Sequence, residues 1–309
     1  MNIIITGATS MIGVATIESI LTNEDNASIY AVVRPNSKNL NRLPNDSRIH
    51  IVECEAEYYS ELPQLINAPC DIFYHFTWSA AGKDRNSSII GQSENIPITL
   101  KTLTSAHELG CKKFIGAGSQ AEYGLLNVDK IGPDSPVNPI QPYGIAKYAA
   151  GKLSLDLAEQ YDLDCLWTRI FSIYGPLDRP TTLVSSAIDG LINNQRVSFT
   201  PAEQRWDYLY SSDAGKAFYL IGKKSTGRKV YCLGSGEARP LKDYIYDLQR
   251  ILNPDCPVGI GDRPYPENCV MNLCADINDL QKDTGWKPEV SFEEGIRNIL
   301  EQIKRCNNK

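Results

Sequence analysis

The sequence has few of the residues that build metal centres and disulfide frameworks. It contains only three histidines, His50, His75 and His107, and none is spaced from a cysteine or another histidine as zinc ligands are. Its 9 cysteines are scattered singly with no CxxC pair. Isolated thiols in a chain of this length favour a reduced, cytoplasmic protein over a disulfide scaffold. We therefore expect no metal site and no structural disulfides.

Excess basic charge and long apolar runs are also missing. Lys and Arg number 31 against 37 Asp and Glu, which gives a net charge of −6. A general nucleic-acid binder needs a basic surface, so a nucleic-acid partner is not expected. No apolar run approaches the ~20 residues of a membrane helix, and no basic segment precedes the apolar N-terminus. The sequence predicts neither a membrane span nor an export signal.

What the sequence does contain is a regular alternation of strand and helix patterns. The chain has 309 residues, of which 42% are hydrophobic, enough for a large core. Apolar runs predict strands at 2–6, 29–33, 49–53, 71–76, 113–117 and 166–171, and helical spacing predicts helices at 11–21, 96–109 and 143–161. This order predicts an α/β fold, a Rossmann-type doubly wound parallel sheet.

The alternation weakens beyond Tyr174, where prolines cluster. We expect a dinucleotide-binding domain over 1–171, with a returning strand and helix near 205–235. Residues 172–309 would then form mostly a smaller, more irregular α/β domain around a ligand.

A glycine-containing turn separates the first predicted strand from the first helix. Gly7 permits a tight turn, and a helix N-terminus offers free N–H groups and a positive dipole end to a pyrophosphate. Ser10 stands where such turns usually have their middle glycine. The position of the turn predicts a dinucleotide site formed by Gly7, Thr9, Ser10, Met11, Ile12 and Gly13.

The end of the second predicted strand bears on which dinucleotide is bound. An acidic residue there would bind the ribose 2′-hydroxyl of NAD, whereas this chain has Arg34. A guanidinium suits a 2′-phosphate, so NADP(H) is favoured and NAD(H) is the alternative, in which Arg34 only stacks on adenine or lies in solvent. Glu55, past the third strand, is placed to accept a hydrogen bond from the adenine amino group, or is an ordinary surface carboxylate.

Three further residues suggest acid–base chemistry beside the cofactor. Tyr143 and Lys147 are four apart at the start of the long helix and so share one face. An ammonium beside the phenol should lower the pKa of Tyr143 and make it a usable acid or base. Ser119 follows the fifth strand, where ligands bind in parallel sheets, and could hydrogen-bond the substrate oxygen. We predict Ser119, Tyr143 and Lys147 as the catalytic set, with Tyr143 and Lys147 also contacting the cofactor.

Taken together, these motifs resemble the extended short-chain dehydrogenase/reductases, the NAD(P)-dependent nucleotide-sugar epimerase/dehydratase/reductase family. The resemblance covers nearly the whole chain and includes segments 71–77, 169–176, 207–213, 276–280 and 285–288. It implies cofactor contacts from Phe76, Thr77 and Asn95. It also implies a nucleoside-diphosphate sugar as the small-molecule substrate, and a homodimer formed through helices 96–109 and 143–161.

The departures from the family pattern narrow the reaction. In its 4,6-dehydratases an Asp–Glu pair follows the catalytic hydroxyl residue, and here those positions are Gln120 and Ala121. Neither can act as the acid or base that elimination needs, and Ala121 also replaces the acidic Cys of the related 3,5-epimerase/reductases. A site that moves a hydride at one carbon remains, as in a 4-ketoreductase or a 4-epimerase. Trp78, Arg34 and the run from Ser119 to Gly124 resemble NDP-4-keto-6-deoxyhexose 4-reductases of deoxysugar and surface-polysaccharide synthesis, so we favour the reductase.

Two other classes are weaker. Non-catalytic dinucleotide sensors on this fold typically lack the Tyr–Lys pair, and a reductase of small ketones would need no diphosphate site. The resemblance gives a phosphate-binding role to Arg263 and, less firmly, to Arg205, with Arg179 and Lys287 as weaker candidates. Predicted to contact the substrate are Trp78, Ser119, Gln120, Tyr143, Ser172, Phe199, Arg205 and Arg263. Ser172 replaces a common Asn of the family, and Phe199 is either a stacking partner of the base or core.

Overall fold

A seven-stranded parallel sheet forms the centre of the molecule. The computed structural model describes residues 1–82 and 85–307. The strands in this part of the chain are β1 Asn2–Thr6, β2 Ser28–Val33, β3 Ile49–Glu53, β4 Ile72–His75, β5 Lys113–Ser119, β6 Asp164–Ile170, β7 Ser172–Tyr174, β8 Val197–Ser198, β9 Arg205–Trp206, β10 Tyr208–Tyr210, β11 Arg228–Leu233, β12 Arg239–Pro240, β13 Val258–Gly259 and β14 Asn272–Leu273. The central sheet has the order β11-β6-β5-β4-β1-β2-β3.

The central strands are apolar on both faces because helices cover both faces. Ile3, Ile4 and Ile5 are all completely buried, as strands inside a doubly covered parallel sheet must be. In register, Thr6 of β1 lies opposite Val32 of β2 and His75 of β4. This pairing aligns the carboxyl ends of the strands along one edge of the sheet.

The α-helices of the described chain are α1 Met11–Asn23, α2 Leu62–Leu65, α3 Ile89–Ser93, α4 Asn95–Glu108, α5 Pro142–Gln160, α6 Leu183–Ile192, α7 Ser211–Lys224, α8 Leu241–Leu252, α9 Asn278–Thr284 and α10 Phe292–Asn307. Short 3₁₀ helices occur at Leu40–Arg42, Ala56–Glu61 and Gln120–Tyr123. Helix α1 packs on α7, and α4 packs on α5. None of the helices within residues 1–82 and 85–307 combines the length and apolar character that crossing a membrane requires.

The predicted α/β Rossmann-type architecture is confirmed, and each predicted strand and helix lies within two residues of an observed one at either end. The last strand of the sheet, β11, pairs with β6 and is preceded by α7, so the chain does return to the sheet after residue 205. The division of the chain at residue 171 stays a prediction.

The rest of the C-terminal part contains the helices α6, α8, α9 and α10, several short strands and a separate hydrophobic core. Strands β12, β9 and β14 form one small sheet, and β8 pairs with β13. The Asp207 carboxylate connects this part internally, because it accepts hydrogen bonds from the backbone N–H groups of Ser235, Gly236 and Ala275. A buried carboxylate saturated by backbone donors explains why an Asp stands between β9 and β10.

Candidate active site

A cleft of about 1150 Å³ opens along the carboxyl ends of the central strands. Its walls include the turn after β1, the ends of β2, β4 and β5, the start of α5 and the segment that joins β6 to α6. Ligands of open parallel sheets bind at this edge. Of the predicted site residues, those that line the cleft are Gly7, Thr9, Ser10, Met11, Ile12, Arg34, Glu55, Phe76, Thr77, Trp78, Ser119, Gln120, Tyr143, Lys147 and Ser172.

The turn after β1 brings the start of α1 close to β4. Gly7 has φ +66°, and a Cβ there would lie 2.9 Å from the Phe76 carbonyl carbon. At Gly13, a Cβ would lie 2.5 Å from the Gly7 carbonyl oxygen. Gly13 does not line the cleft, but it allows helix α1 to start against the turn. Only glycine fits either position without moving the backbone.

Ser10 has a structural role that explains its presence. It is the N-cap of α1, and its hydroxyl accepts a hydrogen bond from Gly13 N at 3.1 Å. A serine is well suited to this position, since it satisfies one of the free N–H groups of the first turn. Met11 and Ile12 of the same turn line the cleft, and a helix N-terminus there favours a pyrophosphate.

Two arginines lie where the cleft passes the ends of β1 and β2. Arg34 directly follows β2 and is exposed. Arg42, which sequence reasoning missed, lies on the cleft wall and donates to the Thr9 carbonyl oxygen at 3.4 Å. Its only sequence signal is a second cation eight residues after Arg34. The cleft thus has positive charge at the end where Glu55 also lies.

Ser119, Tyr143 and Lys147 come from two elements and meet at the cleft floor. Ser119 ends β5 and caps the following 3₁₀ helix, where its hydroxyl accepts from Ala121 N at 3.1 Å. Helix α5 begins at Pro142, so Tyr143 and Lys147 lie one turn apart in its first two turns. The Lys147 Nζ atom donates to the Ala117 carbonyl oxygen at 2.6 Å and lies 6.0 Å from the centre of the Tyr143 ring.

Burial dominates the protonation of this pair. Desolvation lowers the pKa of Lys147 to about 7, against a smaller raising effect of the Glu122 carboxylate. Desolvation likewise raises the pKa of Tyr143, opposed by a hydrogen bond from Ser119 and by the charge of Arg85. The expectation that Lys147 lowers the pKa of Tyr143 is therefore wrong for the chain alone, because burial of the phenol outweighs every nearby cation.

A buried ion pair that the sequence did not reveal holds the backbone of Ser119 in place. Arg169 Nε lies 2.7 Å from Glu122 Oε2, and both side chains are almost fully buried. The other carboxylate oxygen accepts from Ser119 N at 2.8 Å and from Trp167 Nε1 at 3.0 Å. Glu122 lies in the 3₁₀ helix after β5, a short element that no periodicity reveals. Both carboxylate oxygens of Glu122 therefore have hydrogen-bond partners.

Several predicted residues do not reach the cleft. Phe199 is 6% exposed and belongs to the C-terminal hydrophobic core, so the expected stacking on a base is not supported. Arg205 lies on a strand of the small sheet and donates to the Ala238 carbonyl oxygen, and Arg263 is exposed outside the cleft. Their contacts with a diphosphate stay predictions. Asn95 is buried behind the wall, where it accepts from Ser79 N at 2.7 Å and fixes the segment after β4.

The part of the cleft near Tyr143 contains further cations and an indole, of which only Arg179 was predicted as a candidate. Arg179 donates to the Ala81 carbonyl oxygen, and Arg85 lies over the Tyr143 ring with its Cζ 5.2 Å from the ring centre. Trp206 also lines the cleft and donates from Nε1 to the Ser172 hydroxyl at 2.7 Å. The Ser172 hydroxyl thus accepts a hydrogen bond from the Trp206 indole, which accounts for a small hydroxyl residue at that position.

The doubly wound parallel sheet, the glycine turn after β1 and the cleft at the strand ends define a Rossmann-like dinucleotide-binding fold of the oxidoreductase type. A sequence model described as the NAD dependent epimerase/dehydratase family matches residues 3–234, and the chain belongs to that family.

Known proteins similar to this chain include both dehydratases and epimerases. It is 25% identical to a dTDP-D-glucose 4,6-dehydratase of Mus musculus over 87% of this chain and 78% of that protein. The structure of a Thermotoga maritima UDP-glucose 4-epimerase with UDP-glucose matches with a TM-score of 0.86 and 24% identity, over 99% of each chain. A Bacillus cereus UDP-glucuronic acid 4-epimerase in complex with UDP-glucuronic acid and NAD matches with a TM-score of 0.82 and 21% identity, over 99% of this chain and 100% of that chain. These structural likenesses support the fold.

Proposed function

We propose that this chain reduces the 4-keto group of an NDP-4-keto-6-deoxyhexose with NADPH. The observation that carries the proposal is the convergence of Ser119, Tyr143 and Lys147 on one cleft that also contains the glycine turn. The turn fits a dinucleotide, because any side chain at Gly7 or Gly13 would collide with backbone. When bound there, the nicotinamide cofactor supplies the hydride.

The protein residues handle the proton and orient the keto group. The Ser119 hydroxyl donates a hydrogen bond to the sugar oxygen, and Tyr143 gives its proton to that oxygen as the alkoxide develops. The raised pKa of Tyr143 keeps the phenol protonated before the reaction, as a proton donor must be. Lys147 in its ammonium form stabilises the phenolate left behind. Arg85 and Arg179 line the cleft, so we add them to Arg205 and Arg263 as candidates for binding the diphosphate.

Elimination of water is not part of the proposal, although similar proteins include dehydratases. Gln120 lines the cleft but cannot exchange a proton, and Ala121 has no functional group. The next carboxylate, Glu122, is held by Arg169, Trp167 and Ser119 N, and so is not free to act as an acid or base.

The choice of NADP(H) depends on Arg34 and Arg42. Both guanidinium groups lie at the cleft end where β1 and β2 finish. There they could donate charge-assisted hydrogen bonds to a 2′-phosphate. NAD(H) is the alternative, and a similar epimerase structure was obtained with NAD. The variant Arg34→Asp should weaken NADPH binding roughly 10–100-fold relative to NADH. Equal affinities of the unmodified chain for the two cofactors would contradict the NADP(H) assignment.

A second candidate is an NDP-hexose 4-epimerase, because structures similar to this chain over nearly its whole length are named as 4-epimerases. The same three residues would then take and return the proton of the C4 hydroxyl, and a bound nicotinamide would supply the acceptor and donor for the hydride at C4. The test uses purified protein, NADPH and a panel of NDP-4-keto-6-deoxyhexoses, with sugar product and cofactor absorbance followed together. One NADPH consumed per sugar reduced supports the reductase. Interconversion of unreduced NDP-hexoses with only catalytic amounts of cofactor overturns it in favour of the epimerase.

We also propose a homodimer formed through α4 and α5. Ile145, Tyr148 and Leu153 of α5 are each more than a third exposed, which is unusual for apolar side chains on one helix. Sedimentation equilibrium should give twice the chain mass, and Ile145→Glu should lower it. A monomer in the unmodified protein contradicts the dimer.

A further inference from the structure

A buried glutamine holds the indole of Trp78 in a fixed orientation. Gln92 is 1% exposed, and its Oε1 accepts from Trp78 Nε1 at 2.8 Å. Its Nε2 donates to the Ala80 carbonyl oxygen at 2.7 Å. Both ends of the amide therefore bind the segment that follows β4. A buried amide with both ends satisfied has one favourable orientation and fixes its partners.

The orientation that Gln92 imposes brings Trp78 against both members of the Tyr–Lys pair. The Lys147 Nζ atom lies 3.6 Å from the centre of the Trp78 ring, which is the geometry of a cation–π contact. The Tyr143 ring lies 6.2 Å from the same indole with an interplanar angle of 85°, an edge-to-face pair. One side chain thus contacts the proton donor and its charged partner together.

We propose that Gln92 is a positioning residue that acts through Trp78, and that Trp78 keeps Lys147 in its ammonium form beside Tyr143. The role in turnover rests on the proposed function, whereas the effect on the charge of Lys147 does not. Few other groups can stabilise that charge. The Ala117 carbonyl oxygen accepts a hydrogen bond from it, and the Trp167 ring is more distant, at 6.0 Å.

The charged and titratable groups around Lys147 give its ammonium form little net stabilisation, so the indole of Trp78 matters. Glu122, on the 3₁₀ helix after β5, favours the ammonium, but its carboxylate is shared with Arg169. His75 on β4 would oppose the ammonium if it were charged, but burial keeps it neutral, with a pKa lowered to about 3. Tyr143, on the same helix, is neutral while its pKa stays raised. Burial acts against the ammonium, and the face of Trp78 compensates without adding a second charge to the cleft.

The experiment measures the charge of Lys147 directly. Protein with lysine labelled at ¹³Cε is titrated by NMR, and the Lys147→Met spectrum identifies the signal. Trp78→Leu should lower the titration midpoint of Lys147 by roughly one pH unit, because the cation–π contact is lost. Gln92→Leu should lower it in the same direction by a smaller amount, because the indole is no longer held. Trp286→Phe is the matched control, since it also removes a buried indole N–H bond, to the Asp213 carbonyl oxygen, and should leave the midpoint unchanged.

A double-variant cycle tests whether Gln92 acts through Trp78. Phenylalanine at position 78 has no N–H for Gln92 to bind, so Gln92→Leu should add little to Trp78→Phe but should have a clear effect alone. An unchanged midpoint in Trp78→Leu, or equal effects of Gln92→Leu in both backgrounds, overturns the proposal.

In the sugar assay, kcat of Trp78→Leu should begin to fall at a lower pH than kcat of the unmodified chain. If the unmodified chain turns over none of the sugars while the NMR midpoints shift as stated, the proposed function fails and the assignment of Trp78 and Gln92 stands.

Discussion

At the scale of single residues, ionisable groups are buried both in the cleft and directly beside it. Lys147 is 4% exposed and His75 is 2% exposed, and burial lowers the pKa of both. Burial raises the pKa of Tyr143 instead. Desolvation disfavours the charged form of every group, so the free chain holds a protonated phenol and an easily neutralised amine. Such a site is suited to giving a proton to a developing alkoxide.

The Tyr143→Phe variant tests the proton donor. Removal of the hydroxyl should lower kcat by about 10²–10⁴-fold, the range of general acid catalysis, because the ring and its contact with Trp78 remain. NADPH affinity, measured by quenching of tryptophan fluorescence, should change little. A variant with unimpaired kcat would contradict the role of Tyr143.

The His75→Gln variant tests the buried histidine through stability. His75 lies between the Thr6 and Thr99 hydroxyls, at 2.9 Å and 3.3 Å, and its folded pKa is lowered to about 3 from an ordinary value of 6.5. Below pH 6.5 His75 binds a proton in the unfolded chain but stays neutral in the folded chain. The free energy of unfolding therefore falls as the pH decreases toward 3. The free energy of unfolding of the unmodified chain should have a pH slope steeper than that of His75→Gln by about 1.4 kcal/mol per pH unit in this window. Urea titrations at several pH values measure it, and parallel slopes would show that His75 titrates normally.

At the scale of elements, the turn between β1 and α1 carries the cofactor assignment. The first turn of α1 is capped by Ser10, and the close approach of Gly13 to the Gly7 carbonyl sets where the helix begins. The free N–H groups can face an anion only if the helix keeps that position.

The Gly13→Ala variant tests this approach. A methyl group would lie 2.5 Å from the Gly7 carbonyl oxygen, so α1 or the turn must move. We expect the free energy of unfolding to fall by about 1–3 kcal/mol and the Kd for NADPH to rise at least about tenfold. Gly132→Ala is the control, because its added methyl would meet Asp276 at an ordinary contact of 3.6 Å. An unchanged Kd for NADPH in Gly13→Ala would contradict a role of this turn in binding the cofactor.

The elements also show what the sequence could predict. Long strands such as β1 and the helix α5 were predictable, because apolar periodicity and the glycine turn are local signals. The positions of Arg205, Arg263 and Phe199 were not, because they depend on strands of two or three residues whose pairing is set by distant segments. Gln92 and Glu122 were missed for the same reason. Their partners are side chains and backbone groups brought close only by the fold, and a lone Gln or Glu has no sequence pattern.

At the scale of the whole molecule, the Glu122–Arg169 pair joins parts of the chain far apart in sequence. It links the end of β5, the 3₁₀ helix after it, strand β6 and the Pro133 carbonyl oxygen, to which Arg169 Nη1 donates at 3.2 Å. Because the same carboxylate binds Ser119 N, the end of β5 at the cleft and the core of the sheet share one buried charge pair. A buried pair of this kind is costly to break from one side.

The Glu122→Gln variant should lower the free energy of unfolding by about 3–5 kcal/mol, because Arg169 would be left buried without a counter-charge. Chemical denaturation measures the change. The matched control is Asp156→Asn, which removes the exposed i,i+4 pair with Lys152 and should have little effect. A loss for Glu122→Gln as small as that of the control would mean that Glu122 does not stabilise the junction.

At this scale, we propose that the residues of the cleft together transfer one hydride to a sugar carbon. The most direct measurement follows deuterium from [4,4-²H₂]NADPH into the product of an NDP-4-keto-6-deoxyhexose. We expect one deuterium per product molecule at the former keto carbon, and none with the Tyr143→Phe variant on the same timescale. A product that carries no deuterium, or that carries it at another carbon, would contradict the account.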